Sequence, residues 1–387
     1  MKAERILIAS IAVLVVVVFA TPDALAIPAF ARKYNLACSS CHSAVPYLNP
    51  TGRTFKEAGY RMPDEDGEID WDAQPSQTIS QALSFDRTFP IAARIKGYIV
   101  DDQSNSETKI RPLHEVEIFS AGSFWKNGSW FFEVEGEDEA DFETALAGTF
   151  GWHPRRTANF NLGFGSIVHQ DPYNSLQDGG HRLTVSHKIP LDVGSSVGAR
   201  LRNDAQFISF YGRSNQVYYS LSYSSGNGNP EGENPNDVLA RVAWDFTPDL
   251  MVGGFVFDGR RESSGGDIDL QRVGFDFNLA FDNTYLVGMF MEADEDPGAG
   301  LDQSNTAGYV EAFYTWKKDD RPYFVPLLRY DWTELNDGDD KLAAMTAQVG
   351  WYFVENMKLA VEYYDEFDVA PGKTKKDRLT LLADLSF

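Results

Sequence analysis

The sequence predicts an all-β protein, a transmembrane antiparallel β-barrel of about 16 strands. From residue 91 onward, apolar and polar residues alternate in segments of about ten residues, as in 269–281. Such alternation places one face of a strand against an apolar medium and the other against a polar one. Turn residues separate the segments, and the connections alternate between short and long. Segments and connections of this kind are typical of outer-membrane barrels.

The alternation predicts the individual strands. In one segment, Val273, Phe275 and Phe277 alternate with Gly274 and Asp276. We expect strands near 91–101, 112–124, 128–136, 142–152, 156–166, 203–212, 215–224, 237–246, 250–259, 269–281, 284–293, 305–316, 322–332, 341–353, 357–365 and 377–387. That even number agrees with the rule for bacterial single-chain barrels, and the pattern is also compatible with 14 or 18 strands.

The connections predict the orientation of the barrel. We expect short turns at 126–128, 153–156, 212–215, 282–283 and 354–356. We expect longer loops at 102–111, 225–236, 260–268, 294–304, 333–340 and 366–376. Short turns face the periplasm and long loops face the outside in such barrels, so both ends of the barrel chain are expected on the periplasmic side. The long loops are acidic, and several short turns are basic.

Two further features concern the barrel. The connection 167–202 is too long for a hairpin loop, so it either folds into the lumen and narrows it or adds a hairpin from 180–188 and 195–202. The last segment ends on the terminal aromatic Phe387, which is similar to the assembly signal of outer-membrane proteins. The alternative is a soluble β-sandwich or propeller, but no blade-like repeat is visible.

The N-terminus is predicted to be an export signal, residues 1–26. Lys2 and Arg5 precede the apolar run 6–20, and a small-x-small site at 24–26 predicts cleavage before Ile27. An uncleaved membrane anchor is the alternative, but the run is shorter than the roughly 20 residues that a spanning helix needs.

Composition argues against a nucleic-acid partner and against a framework of disulfides. The chain has 34 basic and 57 acidic residues, a net charge of −23. Nucleic-acid binding requires cationic side chains that displace counterions, so we expect no nucleic-acid partner. The chain has two cysteines, too few for a framework of disulfides.

Both cysteines lie in the motif Cys38-Ser39-Ser40-Cys41-His42. This C-x-x-C-H spacing is typical of c-type haem attachment, in which two thiols bond to the porphyrin and the histidine binds the iron. Export would deliver the motif to the compartment where such haem is attached. The alternatives are a redox-active or a structural disulfide, but no βαβ pattern surrounds the motif. We therefore predict one covalent haem c held by Cys38, Cys41 and His42.

The second axial ligand is less defined. Met62 follows His42 by 20 residues and could close a small haem loop, so it is the candidate metal ligand beside His42. An open sixth position is the alternative. An isolated histidine is more often hydrogen-bonded within the protein or exposed at the surface than bound to a metal. The remaining histidines of the chain are His114, His153, His169, His181 and His187.

These observations divide the chain into four parts. A signal peptide at 1–26 precedes a monohaem cytochrome c-like segment at 27–72, which ends in the acidic stretch 64–72. A linker at 73–90 leads to the barrel at 91–387. A haem segment this small is marginal alone, so the haem and docking into the larger body are expected to complete its core.

Three stretches, 27–34, 38–42 and 46–60, resemble the N-terminus of fused monohaem cytochrome–porins of the bacterial outer membrane. The family pattern is roughly P-x-F-A-R, then C-x-x-C-H, then P-x-L-x-x-x-G-x-x-F-K-x-x-G-Y. The match ends near residue 60, and over the barrel it rests on architecture. The resemblance implies electron passage across the outer membrane, with extracellular Fe(II) as donor. It identifies only Cys38, Cys41 and His42 as site residues.

Physical arguments favour the same function. A hydrocarbon layer about 30 Å thick separates the two sides. A lumen of 16 strands is wide enough to enclose the haem segment, and an enclosed haem could approach the outer mouth and exchange electrons with a periplasmic carrier. The acidic outer loops could attract Fe(II) through their electric field. Alternatively, they could be solvated by water or bridged to lipopolysaccharide. We therefore expect an electron carrier or Fe(II) oxidase-type cytochrome in contact with membrane lipid.

Two other functions remain open. One is a diffusion porin whose haem segment senses redox state or caps the pore. The other is a haem peroxidase, which would need an open iron site with distal acid–base residues that the sequence does not show. The direction of electron flow also stays open, because the reverse flow to an extracellular acceptor uses the same parts.

Overall fold

The computed structural model describes residues 29–63, 77–80, 83–85, 90–104, 107–138, 143–173, 175–176, 183–185, 204–225, 236–261, 267–296, 303–335 and 338–386. The predicted signal peptide, the acidic stretch 64–72, His181, His187, the segment 195–202 and Phe387 lie outside these residues. No helix within the described ranges is both long and apolar enough to cross a membrane.

The described residues form short N-terminal elements followed by long strands. Helix α1 is Ala29–Tyr34, helix α2 is Pro50–Glu57, and a 3₁₀ turn spans Cys38–Ser40. Four short strands are β1 (His42–Ala44), β2 (Tyr47–Leu48), β3 (Gln77–Ser80) and β4 (Leu83–Phe85). Strands β1 and β2 pair with each other, whereas β3 and β4 form a hairpin that joins the larger sheet.

The first half of the barrel consists of strands β5 to β12. They are β5 (Ile91–Gln103), β6 (Lys109–Phe124), β7 (Gly128–Glu137), β8 (Glu143–Arg155), β9 (Ala158–Ser166), β10 (Asp204–Ser214), β11 (Val217–Ser224) and β12 (Asp237–Thr247).

The second half consists of strands β13 to β21. They are β13 (Leu250–Arg261), β14 (Ile268–Phe281), β15 (Thr284–Asp296), β16 (Gln303–Tyr314), β17 (Trp316–Lys318), β18 (Arg321–Leu335), β19 (Asp340–Val354), β20 (Met357–Val369) and β21 (Asp377–Ser386).

The sheet closes on itself. Each long strand pairs antiparallel with the next one along the chain, and β21 pairs with β5 through partners such as Ala383 and Gly97. Strand β17 continues β16 after a break, so sixteen long strands form the wall in the described part of the chain. The predicted antiparallel barrel and its count of 16 strands are confirmed, and the alternatives of 14 and 18 are not.

The break between β16 and β17 has a local cause. The predicted strand 305–316 is interrupted at Thr315, and Pro326 lies in the paired strand β18. Proline has no N–H, so it cannot donate to the ladder. Thr315 instead donates its N–H to the carbonyl of Asn283 at 2.8 Å, and its hydroxyl contacts the N-terminal segment.

The two faces of the wall differ as the alternation predicts. In β14, Val273 and Phe275 are about half exposed, whereas Arg272 and Asp276 are buried on the lumen side. An apolar exterior is stable only against lipid, and closure leaves no unpaired strand edge in the bilayer. Exposed aromatic residues gather near the short turns, as expected where the wall meets the lipid headgroups. They are Trp125, Trp152, Trp244, Phe246, Phe281, Trp316 and Trp351.

The connection after β9 enters the lumen. Its described residues Ile167, Val168, Tyr173, Leu176 and Leu183 are at most 4% exposed. The hydroxyl of Tyr309 in β16 donates to the carbonyl of Ser175 at 2.7 Å, which holds this loop against the wall. The prediction that the long connection folds inward therefore holds for the described residues. The predicted linker also contains structure, because β4 pairs with the end of β6 at Phe124.

Candidate functional site

The N-terminal segment, residues 29–63, occupies the short-turn end of the lumen. The hydroxyl of Tyr47 donates to Oδ1 of Asn278 at 2.7 Å, and the hydroxyl of Tyr352 donates to the carbonyl of Val45 at 2.8 Å. Both partners in the wall point inward near the short turns. Aromatic packing adds to these bonds, because the Tyr47 ring lies 5.0 Å from the ring of Phe313. The segment therefore plugs the end of the barrel where the short turns lie.

Contacts with the short turns define which end of the barrel the segment occupies, a point that the sequence left open. Cys38 contacts Glu355 and Arg53 contacts Pro248, both in short turns. The segment lies at this end because its polar groups bond to the turns, while its tyrosines reach inward. By the orientation rule, the C-x-x-C-H motif faces the periplasm.

The C-x-x-C-H motif forms one compact turn. The N–H of Cys41 donates to the carbonyl of Cys38 at 3.1 Å, which closes the 3₁₀ turn. The side-chain amide of Asn49 donates to the carbonyls of Ser39 and Ser40, and its Oδ1 accepts from the N–H of Gly52. Asn49 therefore caps helix α2 and holds the motif turn against it.

Gly52 permits this close packing. A Cβ atom at this position would overlap the carbonyl oxygen of Cys41. The helix and the motif turn are therefore in direct backbone contact, and any side chain at Gly52 would separate them.

A carboxylate from the far end of the chain anchors the motif. Glu355, in the turn between β19 and β20, accepts a hydrogen bond from the N–H of Cys38 at 2.7 Å. No disulfide joins Cys38 and Cys41. Burial raises the pKa of the Cys38 thiol to about 12, and the nearby Glu355 carboxylate adds to that rise. Burial raises the pKa of the Cys41 thiol to about 11, so both thiols stay protonated at neutral pH.

The ring of His42 has the orientation that a metal ligand needs. Its Nδ1 lies 3.0 Å from the carbonyl oxygen of Pro46, so Nδ1 carries the proton and donates it. The backbone of Tyr47 also hydrogen-bonds the ring. With its proton on Nδ1, the ring would bind a metal through Nε2, as metal-binding histidines held by a carbonyl do. Burial lowers the pKa of the His42 imidazole, which favours this neutral form.

A cavity of about 300 Å³ adjoins His42. It lies between the N-terminal segment and the short turns, at the lower end of the size range of ligand pockets. Its lining includes the apolar residues Leu48, Pro248 and Leu279 and the rings of Tyr47 and Tyr285. Of the C-x-x-C-H motif, the cavity lining includes Ser39 and His42 but neither cysteine, so the cavity adjoins the imidazole rather than the two thiols.

Met62 lies elsewhere on the rim. The preceding residue, Arg61, donates to the carbonyls of Lys126 and Gly128 in the turn between β6 and β7. Met62 is not among the described residues that line the cavity beside His42. The structure thus brings together Cys38, Cys41 and His42, and the assignment of Met62 stays a prediction.

The three other described histidines all have partners within the protein. His153 bonds to the hydroxyls of Ser129 and Tyr211, and His114 bonds to Asp138. The His169 ring lies 4.6 Å from that of Phe131. These contacts agree with the expectation that isolated histidines are satisfied residues.

The far side of the segment is held by ion pairs. At the end of helix α2, Glu57 accepts from Arg213 at 2.8 Å, and Lys56 donates to the carbonyl of Asp171 at 2.9 Å. Burial lowers the pKa of Lys56 to about 7. Asp171 belongs to the inward loop and pairs with Arg241, which also pairs with Asp276. The N-terminal segment and the inward loop therefore meet inside the lumen.

Sequence reasoning missed several residues of this site. Asn49 was recognisable, because an asparagine directly before Pro50 is a typical helix N-cap. Glu355, Tyr352 and Asn278 gave no local signal, since each lies in a strand or turn more than 200 residues from its partner.

Comparison with known proteins identifies the architecture. No family model matches the sequence, and no curated protein matches it. An anion-selective porin from Comamonas acidovorans is similar in structure, with a TM-score of 0.60 and 12% identity over 77% of this chain and 98% of that one. A loop-deletion mutant of OmpT, an outer membrane protein of Vibrio cholerae, has a TM-score of 0.57 and 14% identity over 79% and 100%.

A third structure agrees with these two. OmpF of Salmonella typhi, in a complex with daunomycin, has a TM-score of 0.54 and 13% identity over 77% of this chain and 97% of that chain. At these identities the likeness concerns the fold. The porin-like barrel, its closure and its apolar exterior make this chain an outer-membrane β-barrel in contact with lipid, which confirms the predicted localisation.

Proposed function

We propose that this chain is an outer-membrane electron-transfer protein that holds one covalent c-type haem in the periplasmic mouth of its porin-like barrel. It passes electrons between an extracellular donor or acceptor and a periplasmic carrier, with Fe(II) as the proposed donor. We further propose that it belongs with the fused monohaem cytochrome–porins, on the residues Cys38, Cys41 and His42.

One observation carries this proposal. His42 is held through Nδ1 by the Pro46 carbonyl and adjoins a cavity, and the compact turn that precedes it holds the two thiols. A structural disulfide would require neither an oriented imidazole nor a cavity. The haem, when bound, supplies one-electron redox chemistry through its iron. The protein's part is to hold the tetrapyrrole, exclude water and admit the reaction partners.

The position of the site favours exchange with a periplasmic carrier. Ser39 and Pro50 line the cavity together with residues of the turns at Asp249, Asp282 and Asp320. These turns are exposed and face the periplasm by the orientation rule. A soluble carrier can therefore approach the haem edge without entering the barrel.

An extracellular donor must use the lumen. Strand β20 has 13 residues and therefore spans about 30 Å of the barrel axis at a tilt near 45°. In the upper lumen, Glu117 faces Glu135 and Glu115 faces Glu137 across neighbouring strands. Arg94 and Lys96 neutralise only part of this charge. Carboxylate oxygens are ligands for cations rather than anions, so this cluster favours a cation such as Fe(II) as the species in the lumen.

The balance of the proposed reaction is simple. An extracellular Fe(II) ion would lose one electron and leave as Fe(III), and a periplasmic carrier would gain that electron, with a haem held by Cys38, Cys41 and His42 supplying the one-electron redox chemistry between them. The reverse flow, to an extracellular acceptor, uses the same residues.

A second function is a diffusion porin whose haem segment caps the pore or senses redox state. The filled mouth favours a cap. Tyr47 and Glu57 of the segment bond to side chains of the barrel wall, and the wall residue Tyr352 bonds to the backbone of the segment. The same filling disfavours a wide open channel.

Two measurements on the purified protein separate the two functions. An electron carrier predicts haem that Fe(II) reduces and a conductance far below that of an open porin. A wide ohmic pore together with a haem that Fe(II) does not reduce would support the porin instead. Cys38→Ser with Cys41→Ser is the matched control, because it removes attachment and leaves the barrel intact.

A further inference from the structure

A histidine and two glutamates meet inside the barrel near the outer ends of β6 and β7. One ring nitrogen of His114 and one carboxylate oxygen each of Glu115 and Glu137 lie within 4.8 Å of one another. Strand β6 begins on the long-loop side at Lys109, so the cluster lies near the outer mouth by the orientation rule. The side chains of His114 and Glu115 are only 7% and 6% exposed.

An irregularity in the ladder between β5 and β6 places His114 beside Glu115. Successive residues of a regular strand point to opposite faces of the sheet. Lys96 of β5 pairs with Glu115, yet two residues further on Tyr98 pairs with Arg111, four residues before Glu115. Extra residues of this kind redirect side chains. The His114 ring therefore turns into the lumen, where it lies 4.4 Å from the Tyr98 ring.

The imidazole of His114 is oriented like that of a metal-binding histidine. Its Nδ1 lies 2.7 Å from Oδ1 of Asp138, so Nδ1 donates to this carboxylate. Within the described ranges of the chain, Nε2 has no hydrogen-bond partner. A carboxylate that holds one ring nitrogen fixes the ring and leaves the lone pair of the other nitrogen for a metal. This buried, oriented ring points to a metal ligand independently of the charge of the glutamates.

The carboxylates around the ring are only partly neutralised. Lys96 bonds to Glu115 and also contacts Glu117. No basic side chain of the described residues lies within 4.0 Å of the half-buried Glu137 carboxylate. Burying a carboxylate away from water is costly unless a cation or hydrogen bonds compensate. A metal ion between His114 and Glu137 would supply that compensation.

We propose that His114, Glu115 and Glu137 bind one divalent transition-metal ion at the outer end of the lumen. An imidazole nitrogen together with carboxylate oxygens suits ions such as Fe(II), Co(II) and Zn(II), whereas Mg²⁺ and Ca²⁺ prefer oxygen ligands alone. The inference rests on the proposed function only in naming Fe(II) as the natural ion, because an extracellular donor meets this end of the lumen first. Binding itself requires no electron transfer.

The experiment is equilibrium dialysis of the full-length protein in detergent against Co(II), an air-stable probe that takes the same ligands as Fe(II). We expect one tightly bound ion per parent chain. His114→Gln and Glu137→Gln should weaken its binding by at least about tenfold, since loss of even a residue that orients a ligand costs that much. Glu334→Gln is the matched control, because it removes an exposed carboxylate from the same end of β18 and should bind Co(II) as the parent does.

Two results of the dialysis would overturn the inference. One is unchanged binding in His114→Gln and Glu137→Gln, and the other is equal weakening in Glu334→Gln, which would show a general effect of charge. X-ray absorption of Co(II) bound to the parent protein decides the matter if a variant fails to fold. An imidazole ligand gives outer-sphere scattering that carboxylates and water lack, so its presence supports the site and its absence contradicts it.

The metal site and the proposed function can fail separately. Cys38→Ser with Cys41→Ser removes haem attachment and should bind Co(II) as tightly as the parent protein does. A parent protein that binds no Co(II), yet carries a haem that Fe(II) reduces, would overturn the inference alone. Tight Co(II) binding by a parent protein without covalent haem would overturn the proposed function alone.

Discussion

Glu355 accepts a hydrogen bond at 2.7 Å from the backbone N–H of Cys38, which precedes it in the chain by 317 residues. The turn between β19 and β20 thereby fixes the beginning of the C-x-x-C-H motif. A charged acceptor makes such a bond stronger than one between neutral groups. The barrel is thus a scaffold that sets the position of the N-terminal segment.

We therefore expect Glu355→Ala to loosen the motif turn. The loss of a hydrogen bond to a charged group costs about 1.5–3 kcal/mol. In the purified barrel, amide hydrogen exchange at residues 38–42 should become faster, while exchange in the strands stays the same. Glu334→Ala, at an exposed position in β18, is the matched control and should leave the motif unchanged. Equal protection of the motif in both variants would contradict the anchoring role.

Gly52→Ala is expected to displace helix α2 from the motif. The added Cβ would overlap the Cys41 carbonyl, and overpacking of this kind costs about 1–3 kcal/mol. The amount of covalent haem per barrel should fall, as measured by absorbance against protein mass. Gly254→Ala is the control, because its Cβ would meet only the Gly274 carbonyl at 3.5 Å, an ordinary contact. A normal haem yield in Gly52→Ala would argue against close packing of helix and motif.

Tyr47→Ala is expected to open the lumen. Its ring fills the space between the N-terminal segment and the wall, and truncation of a buried aromatic residue costs about 3–5 kcal/mol. Single-channel conductance in planar bilayers should rise relative to the parent protein. Tyr47→Phe removes only the bond to Asn278, worth about 1 kcal/mol, and should keep the conductance low. Identical conductance in the Ala and Phe variants would show that the segment does not close the pore.

The stability of the docked segment should depend on pH through Lys56. Burial lowers the pKa of Lys56 from 10.5 to about 7, with the nearby Asp171 opposing this change. Between about pH 7 and 10, the unfolded chain keeps a proton on this lysine that the folded chain has released. The free energy of unfolding therefore rises with pH across this window.

The measurement is the urea concentration at which residues 29–63 become sensitive to protease, at pH 7 and pH 9.5. The midpoint should be higher at pH 9.5 in the parent protein, and Lys56→Met should remove the difference. Lys126→Met, at an exposed turn position, should retain it. The same pH dependence in Lys56→Met as in the parent protein would show that another group titrates.

The barrel was predictable because alternation is a local property of the sequence. A one-residue shift in register would turn Val273 and Phe275 into the lumen and expose Arg272 and Asp276 to lipid, so each strand's orientation is strongly specified. The strand ends differ from the prediction by a few residues, because strand length beyond the bilayer depends on loop packing. The hairpin β3–β4 was missed because its strands are too short to show the pattern.

The site was predictable only in part. The spacing from Cys38 to His42 is a local signal, and it identified three residues that the structure brings together. The position of the segment depends on contacts such as Tyr352 with Val45, 307 residues apart, which no local pattern encodes. The sequence therefore indicated that the segment docks into the barrel, but not which end of the lumen it occupies.

The most direct test of the central claim is the mass and absorption spectrum of the protein purified from outer membranes. We predict that the denatured chain carries the mass of one covalent haem, that Fe(II) reduces this haem in intact membranes, and that Cys38→Ser with Cys41→Ser lacks both signals. A parent chain with the mass of its polypeptide alone, without a haem spectrum, would contradict the account.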